Sequence, residues 1–136
     1  MDRTIQPAIS PMKPFRIQRP DTCALSNGIP LHVFRAGSEE VVRLDILVRG
    51  GQWEQTQPLQ ATFTARMLRE GTRSYDSGRI AEALDYYGAW LDVSSSMTHA
   101  ILTLYALRKY FAPTLRLAAS MLREPLFPEK ELAVVV

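Results

Sequence analysis

A single cysteine, Cys23, stands in 136 residues, which excludes an internal disulfide and constrains the redox compartment only weakly. Long apolar runs are missing as well. No stretch approaches the ~20 residues that cross a bilayer, and the N-terminus MDRTIQPAISPMKPFRI lacks the apolar core of a signal peptide. No membrane is expected as a partner, and a soluble, cytoplasmic protein is the expected reading, although a trimmed export signal would look the same. The net charge of +2 is small, with no basic block and no Lys/Arg stripe interleaved with aromatics, so nucleic acid is not expected either. What the chain does have is 46% hydrophobic residues at a length that fits one domain with a real core.

Residues 1–20 hold four of the nine prolines (Pro7, Pro11, Pro14, Pro20) and little periodicity. They read as an extended arm, either loosely attached or laid across a partner subunit. Residues 25–34 read as a hairpin, with Asn27-Gly28 at its tip in a type I′ turn, which needs positive φ at both central residues. Residues 41–48 alternate Val42, Leu44, Ile46 and Val48 with Arg43 and Asp45, a strand with one buried face that Gly50-Gly51 ends.

The stretch 58–72 (PLQATFTARMLREGT) has helical spacing: Leu59, Phe63 and Met67 lie four apart, with Ala61, Ala65 and Leu68 beside them. Pro58 suits the first helical position and Gly71 the residue past the end. Thr62, Arg66 and Arg69 share the other flank, where no carboxylate, histidine or thiol is expected. A second helix is expected over 78–87, capped by Asp76 or Ser77, with Ile80, Ala83, Leu84 and Tyr87 inward and Gly88 as its stop. Strands over 89–95 and 99–108 follow, joined at Ser96-Met97-Thr98, the second expected to be covered on both faces. Pro113 opens a helix with Leu115, Ala118, Ala119 and Leu122 at helical spacing, and Pro125 ends it. A last helix begins after Pro128, with Glu129 near its positive end. It runs into Val134-Val135-Val136, where apolar groups are left with nothing to pack against.

Five pieces stand in a familiar order: LSNGIPLHVF, VVRLDILVRGGQWEQ, the helix Thr62-Phe63-Thr64-Ala65-Arg66 followed by Met67-Leu68-Arg69-Glu70-Gly71-Thr72, the strand Gly88-Ala89-Trp90-Leu91-Asp92-Val93-Ser94-Ser95, and the turn Pro125-Leu126-Phe127. From residue 25 to 132 the chain resembles the N-terminal part of the first domain of the insulinase and mitochondrial processing peptidase family, the pitrilysin-type zinc peptidases. That family carries an inverted motif His-x-x-Glu-His followed by Met-Leu-x-x-Gly-Thr. Here the flanks match and the centre departs: Thr62 and Arg66 stand for the two histidines and Ala65 for the general-base glutamate. The resemblance implies an α+β domain at 21–136, a mixed or antiparallel sheet with helices on one face. It also implies that the domain is truncated at its C-terminus, since family members continue well beyond this length.

In the family the two histidines and a glutamate from a later helix hold zinc, with a water in the fourth place and the motif glutamate as base. None of the motif groups survives here, so no catalytic residues, no metal ligands and no cofactor are expected, although zinc belongs to the family. Thr62 is a weak ligand at best, and Arg66 stays protonated and repels a cation. Arg66 reads either as a surface group or as a cation filling the volume and charge of the absent metal. His32, His99 and Cys23 do not share the spacing of a second metal site, and Ser94-Ser95-Ser96 lacks a nucleophile elbow.

The family's peptidases hold substrate as a strand added to a sheet edge through main-chain hydrogen bonds. The strand that does so corresponds to Leu91, Asp92, Val93, Ser94 and Ser95, whose side chains also suit plain sheet core. The expected function is a non-catalytic homologue, an inactive partner of an active zinc-bearing subunit that helps form a peptide-binding chamber. A stand-alone peptide-binding module and a peptidase with unorthodox ligands are the alternatives. The expected partners are a homologous active subunit or a second copy of the chain, together with extended peptide.

Overall fold

Residues 11, 12 and 14–135 are described in a computed structural model, in which the chain divides into two compact units, Met1–Ser38 and Glu39–Val136. Residues 1–10 and Lys13 of the expected arm, and Val136 of the valine run, lie outside the described residues. The remaining arm residues up to Arg19 adopt neither helix nor strand.

The first unit contains an antiparallel hairpin of β1 (Asp21–Ala24) and β2 (Pro30–Val33), with Thr22 opposite His32 and Cys23 opposite Leu31. Its connection differs from the type I′ turn expected at Asn27-Gly28. Gly28 has φ of +83°, but Asn27 keeps the ordinary negative φ. The loop spans five residues: Gly28 N–H donates to Leu25 O, Leu25 N–H donates to Ile29 O, and the Asn27 side chain accepts from Ile29 N–H. One left-handed glycine after a tight turn closes this longer loop, so Asn27 is used for its side-chain acceptor and not for positive φ.

The second unit is built on a three-stranded antiparallel sheet of order β3-β5-β4, made of β3 (Val41–Arg49), β4 (Trp90–Ser95) and β5 (His99–Leu107). Leu44, Leu104 and Leu91 line up across it, and so do Ile46, Leu102 and Val93. Because successive side chains alternate sides, these two rows lie on one face. Against that face pack Ala65 of α1 (Gln60–Met67), Ile80 and Leu84 of α2 (Ser77–Tyr87), and Leu117, Ala118 and Met121 of α3 (Phe111–Arg123).

The opposite face is only partly covered. It carries Trp90 packed on Tyr105 (ring centroids 5.5 Å apart), Arg43 over the Tyr105 ring, and Asp45 accepting from Thr103 Oγ1 at 2.8 Å. Burial of β5 on both faces, as expected from its sequence, is therefore complete on one face and partial on the other. Arg43 also pairs with Asp45 at 3.0 Å, and this hydrogen-bonded carboxylate is the main reason its pKa is raised above the ordinary arginine value.

Three helix boundaries depend on local chemistry. Asp76 caps α2 by accepting from Arg79 N–H at 2.8 Å, and Gly88 closes it in the left-handed region, as the sequence predicts. Around α3, a short 3-10 turn at Arg108–Tyr110 precedes Phe111, so Pro113 lies inside the first turn. The fully buried residues there are Thr114, Leu117, Ala118 and Met121; of the residues expected at helical spacing, Ala118 is among them, Leu122 packs half-buried on the core, and Leu115 and Ala119 are half-buried. The buried Thr114 hydroxyl makes this possible by donating to Tyr110 O and Phe111 O. The last helix, α4 (Glu129–Val135), buries no residue fully, and Val134 is 78% exposed.

Candidate functional site

Helix α1 starts two residues later than the sequence predicts. Leu59 precedes it in the left-handed region (φ 67°) and is exposed, so it does not extend the apolar stripe. The loop before it is held by two glutamine side chains. Gln60 Oε1 accepts from the backbone N–H and hydroxyl of Thr56, and Gln55 Oε1 accepts from Ala61 N–H. After Met67 the chain tightens: Arg69 N–H bonds to Arg66 O, and Glu70 N–H bonds to Met67 O. Thr62, Ala65 and Arg66 thus all lie within two helical turns, with Ala65 and Met67 buried.

The matching flanks prove to be structural. Gly71 O accepts from Leu126 N–H, and Thr72 pairs with Pro125. The buried Thr72 hydroxyl accepts from Ser74 N–H and Tyr75 N–H. These contacts tie the exit from α1 to the Pro125-Leu126-Phe127 turn. Gly51 packs so closely on the β4–β5 turn that an added Cβ would meet Met97 O at 2.5 Å. Glu54, the glutamate that follows this glycine turn, accepts from Gly51 N–H at 2.9 Å.

Helix α1 packs on β4, and between them opens a cavity of about 470 Å³. Thr62, Ala65 and Arg66 line it from the helix, and Asp92, Val93, Ser94 and Ser95 line it from the strand. The structure therefore brings together two sets of residues about 30 positions apart in sequence that were selected separately. Leu91 is the exception: its side chain is buried in the core and does not reach the cavity. Three further residues line it: Arg69, which the sequence places on the flank of Thr62 and Arg66, and Glu70 and Val135, which the sequence reading did not select. Arg69 and Glu70 belong to the tightened turn after α1, and Val135 comes from α4. Glu70 follows Arg66 by four residues, so helical spacing alone would have put a carboxylate on the flank expected to have none.

Among the described residues no strand pairs with the other edge of β4. A row of main-chain donors and acceptors is thus open beside the cavity. A second, more apolar cavity of about 300 Å³ lies on the other side of Ala65 and Val93, toward Gly51, Leu68 and Leu122.

The donors at the first cavity do not fit zinc. Its lining residues are Thr62, Ala65, Asp92, Val93, Ser94, Ser95 and Val135 with Glu70 and two arginines, and among the described residues no three His, Cys, Asp or Glu side chains converge as a metal-binding group. The histidines serve locally: His32 Nδ1 bonds to the Thr22 hydroxyl, and His99 Nδ1 to the hydroxyls of Ser96 and Thr98. Cys23 is exposed on β1. Among the described residues, no helix is long and apolar enough to cross a membrane.

The model of the insulinase family (peptidase family M16) matches residues 35–135, most of the chain. The chain belongs to the insulinase family. Its fold is also similar to a crystal structure described as a peptidase M16 inactive domain from Pseudomonas fluorescens, with a TM-score of 0.80 and 25% identity over 87% of this chain. This insulinase-family chain spans 29% of the length of that structure's chain. A search of curated proteins gives no match. The comparisons bear out the expected family and the α+β fold with an antiparallel sheet and helices on one face.

Proposed function

We propose that this chain is a non-catalytic member of the insulinase family that binds peptide in extended form along β4 and works beside an active, zinc-bearing homologue. The observation that carries the reading is the meeting of a free strand edge with a helix that offers neither metal ligands nor a general base at Thr62, Ala65 and Arg66, around one cavity. A strand edge binds peptide through main-chain hydrogen bonds, which need no particular side chain and no metal. Losing the catalytic groups therefore leaves that capacity intact. The similar structure, described as an inactive domain, supports the same reading. The partial exposure of α4, with Val134 projecting outward, suits contact with a second subunit.

The test has two parts. Calorimetry with an extended eight-residue peptide should give binding, and N-methylation of alternate residues on one edge of that peptide should abolish it while methylation of the other edge should not. Mixing the chain with a homologue that has an intact His-x-x-Glu-His should yield a complex on size exclusion and raise the homologue's turnover of long peptides. Absence of peptide binding together with absence of a complex would sink the proposal.

A further inference from the structure

Resting on the strand-addition reading above, we infer that the peptide held along β4 is acidic on alternate residues, its carboxylates meeting Arg66 and Arg69. Both guanidiniums line the cavity, both residues are exposed, and neither forms an ion pair among the described residues. Arg66 lies in the last turn of α1 and Arg69 in the tightened turn that follows it, and both line the cavity beside the edge of β4 that no described strand pairs with. A guanidinium offers a planar fork of donors that matches a carboxylate in a bidentate pair.

Strand alternation decides which residues of the peptide they meet. On β4, Leu91 and Val93 face the helices, whereas Trp90, Asp92 and Ser94 face the other way. A strand added beside β4 alternates in the same manner. Every second side chain falls on the helix side, over the flank bearing Arg66 and Arg69. The intervening ones fall on the side of Asp92, whose negative charge disfavours a carboxylate. The cavity therefore selects a charge pattern and not merely a charge: acidic on one face of the extended peptide, neutral or basic on the other. Glu70, also in the lining, leaves a limited number of places on the helix side for an acidic residue.

The test uses three octapeptides with acetylated and amidated ends, so that no terminal carboxylate is present: alternating Glu-Thr, alternating Gln-Thr, and Glu-Glu-Thr-Thr repeated, which has the composition of the first. Binding is measured by calorimetry against the chain and its Arg66→Gln/Arg69→Gln variant, with circular dichroism to show that the variant is folded. The alternating Glu peptide should bind about tenfold tighter than its Gln counterpart, the effect of one charge-assisted hydrogen-bonded pair in a solvated site. It should also bind tighter than the blocked peptide, and the advantage over Gln should vanish in the variant and shrink at high salt. Equal binding of the Glu and Gln peptides would overturn the inference and leave strand addition standing. An advantage that persists in the variant would overturn the assignment to these arginines, and equal binding of alternating and blocked peptides would overturn the facial pattern. No binding by any of the three would remove the strand-addition reading itself, and this inference with it.

Discussion

Leu104 and Leu47 give the sharpest contrast for testing how the sheet is covered. Leu104 is 0% exposed at the centre of β5, between Leu44 and Leu91, whereas Leu47 on β3 points to the other face and is 64% exposed. Replacing either with Ala removes the same atoms, worth about 2.4 kcal/mol of transfer free energy when fully buried, at ~0.8 kcal/mol per carbon. At Leu104 the whole term applies, and a cavity is left under three helices, bringing the loss to about 3–4 kcal/mol. At Leu47 roughly a third of the term applies and solvent fills the space, so the loss is about 0.8 kcal/mol. The change in strand propensity is shared by both and cancels in the comparison. With a urea slope of about 1.5 kcal/mol per molar, the midpoint should fall by about 2 M for Leu104→Ala and about 0.5 M for Leu47→Ala. Equal shifts would refute the reasoning, because they would mean that the face bearing Leu47 is buried as deeply as the core. A repeat at tenfold lower protein concentration would then trace that burial to self-association.

Gly51→Ala should destabilise the second unit by about 1–3 kcal/mol in urea melts, since the new methyl meets the main chain of Met97 and Ser96 and not a movable side chain. Asp76→Ala removes the side-chain acceptor for Arg79 N–H and should lose about 1 kcal/mol, most of which Asp76→Asn should restore. The triple variant Thr62→His/Ala65→Glu/Arg66→His should show no chelator-sensitive cleavage of a fluorogenic peptide, because two imidazoles four residues apart make at most a partial site where three protein ligands are needed. Cleavage by that variant would show that another carboxylate, with Glu70 in the cavity lining the first candidate, had supplied the third ligand.

The elements that could be read from the sequence are those whose signal is local. The Asp76 cap, the Gly88 stop and the alternation in 41–48 each depend on residues within a few positions, and each recurs in the structure close to where it is expected. Errors arise where a distant or side-chain contact overrides the local preference. Asn27-Gly28 has the composition of a two-residue turn, yet the Asn27 side chain bonds to Ile29 N–H and the loop lengthens. On α3, periodicity alone offers two overlapping apolar stripes. The choice falls on Thr114 because its hydroxyl is satisfied by its own helix, which allows a polar residue to sit at the core. Pro58 suits a helix start, but the Gln55 and Gln60 side chains organise the preceding loop and the helix begins two residues later.

The candidate site was legible for a different reason. Motif flanks fix backbone geometry, and geometry is retained when chemistry is lost. Gly71 and Thr72 hold the exit of α1 against residues 125 and 126, and Gly51 seats its loop on the turn between β4 and β5. Those contacts, with the buried Ala65, hold α1 beside β4 although positions 62, 65 and 66 no longer carry the motif groups. Residues chosen from the helix and from the strand therefore converge on one cavity, although positions 62, 65 and 66 carry neither the histidines nor the glutamate of the motif. What could not be read was anything supplied from elsewhere in the chain. Val135 reaches the cavity from α4, some 40 residues beyond the strand, with no spacing to announce it. Nor does sequence show that no strand among the described residues pairs with the far edge of β4, because an open edge is defined by the absence of a neighbouring strand. On the proposed reading, the scaffold keeps the arrangement that would present a peptide to the helix, and the side chains at 66 and 69 would decide which peptide is accepted. A change at either arginine is therefore expected to alter peptide preference far more than stability, since both are exposed and neither helps build the core.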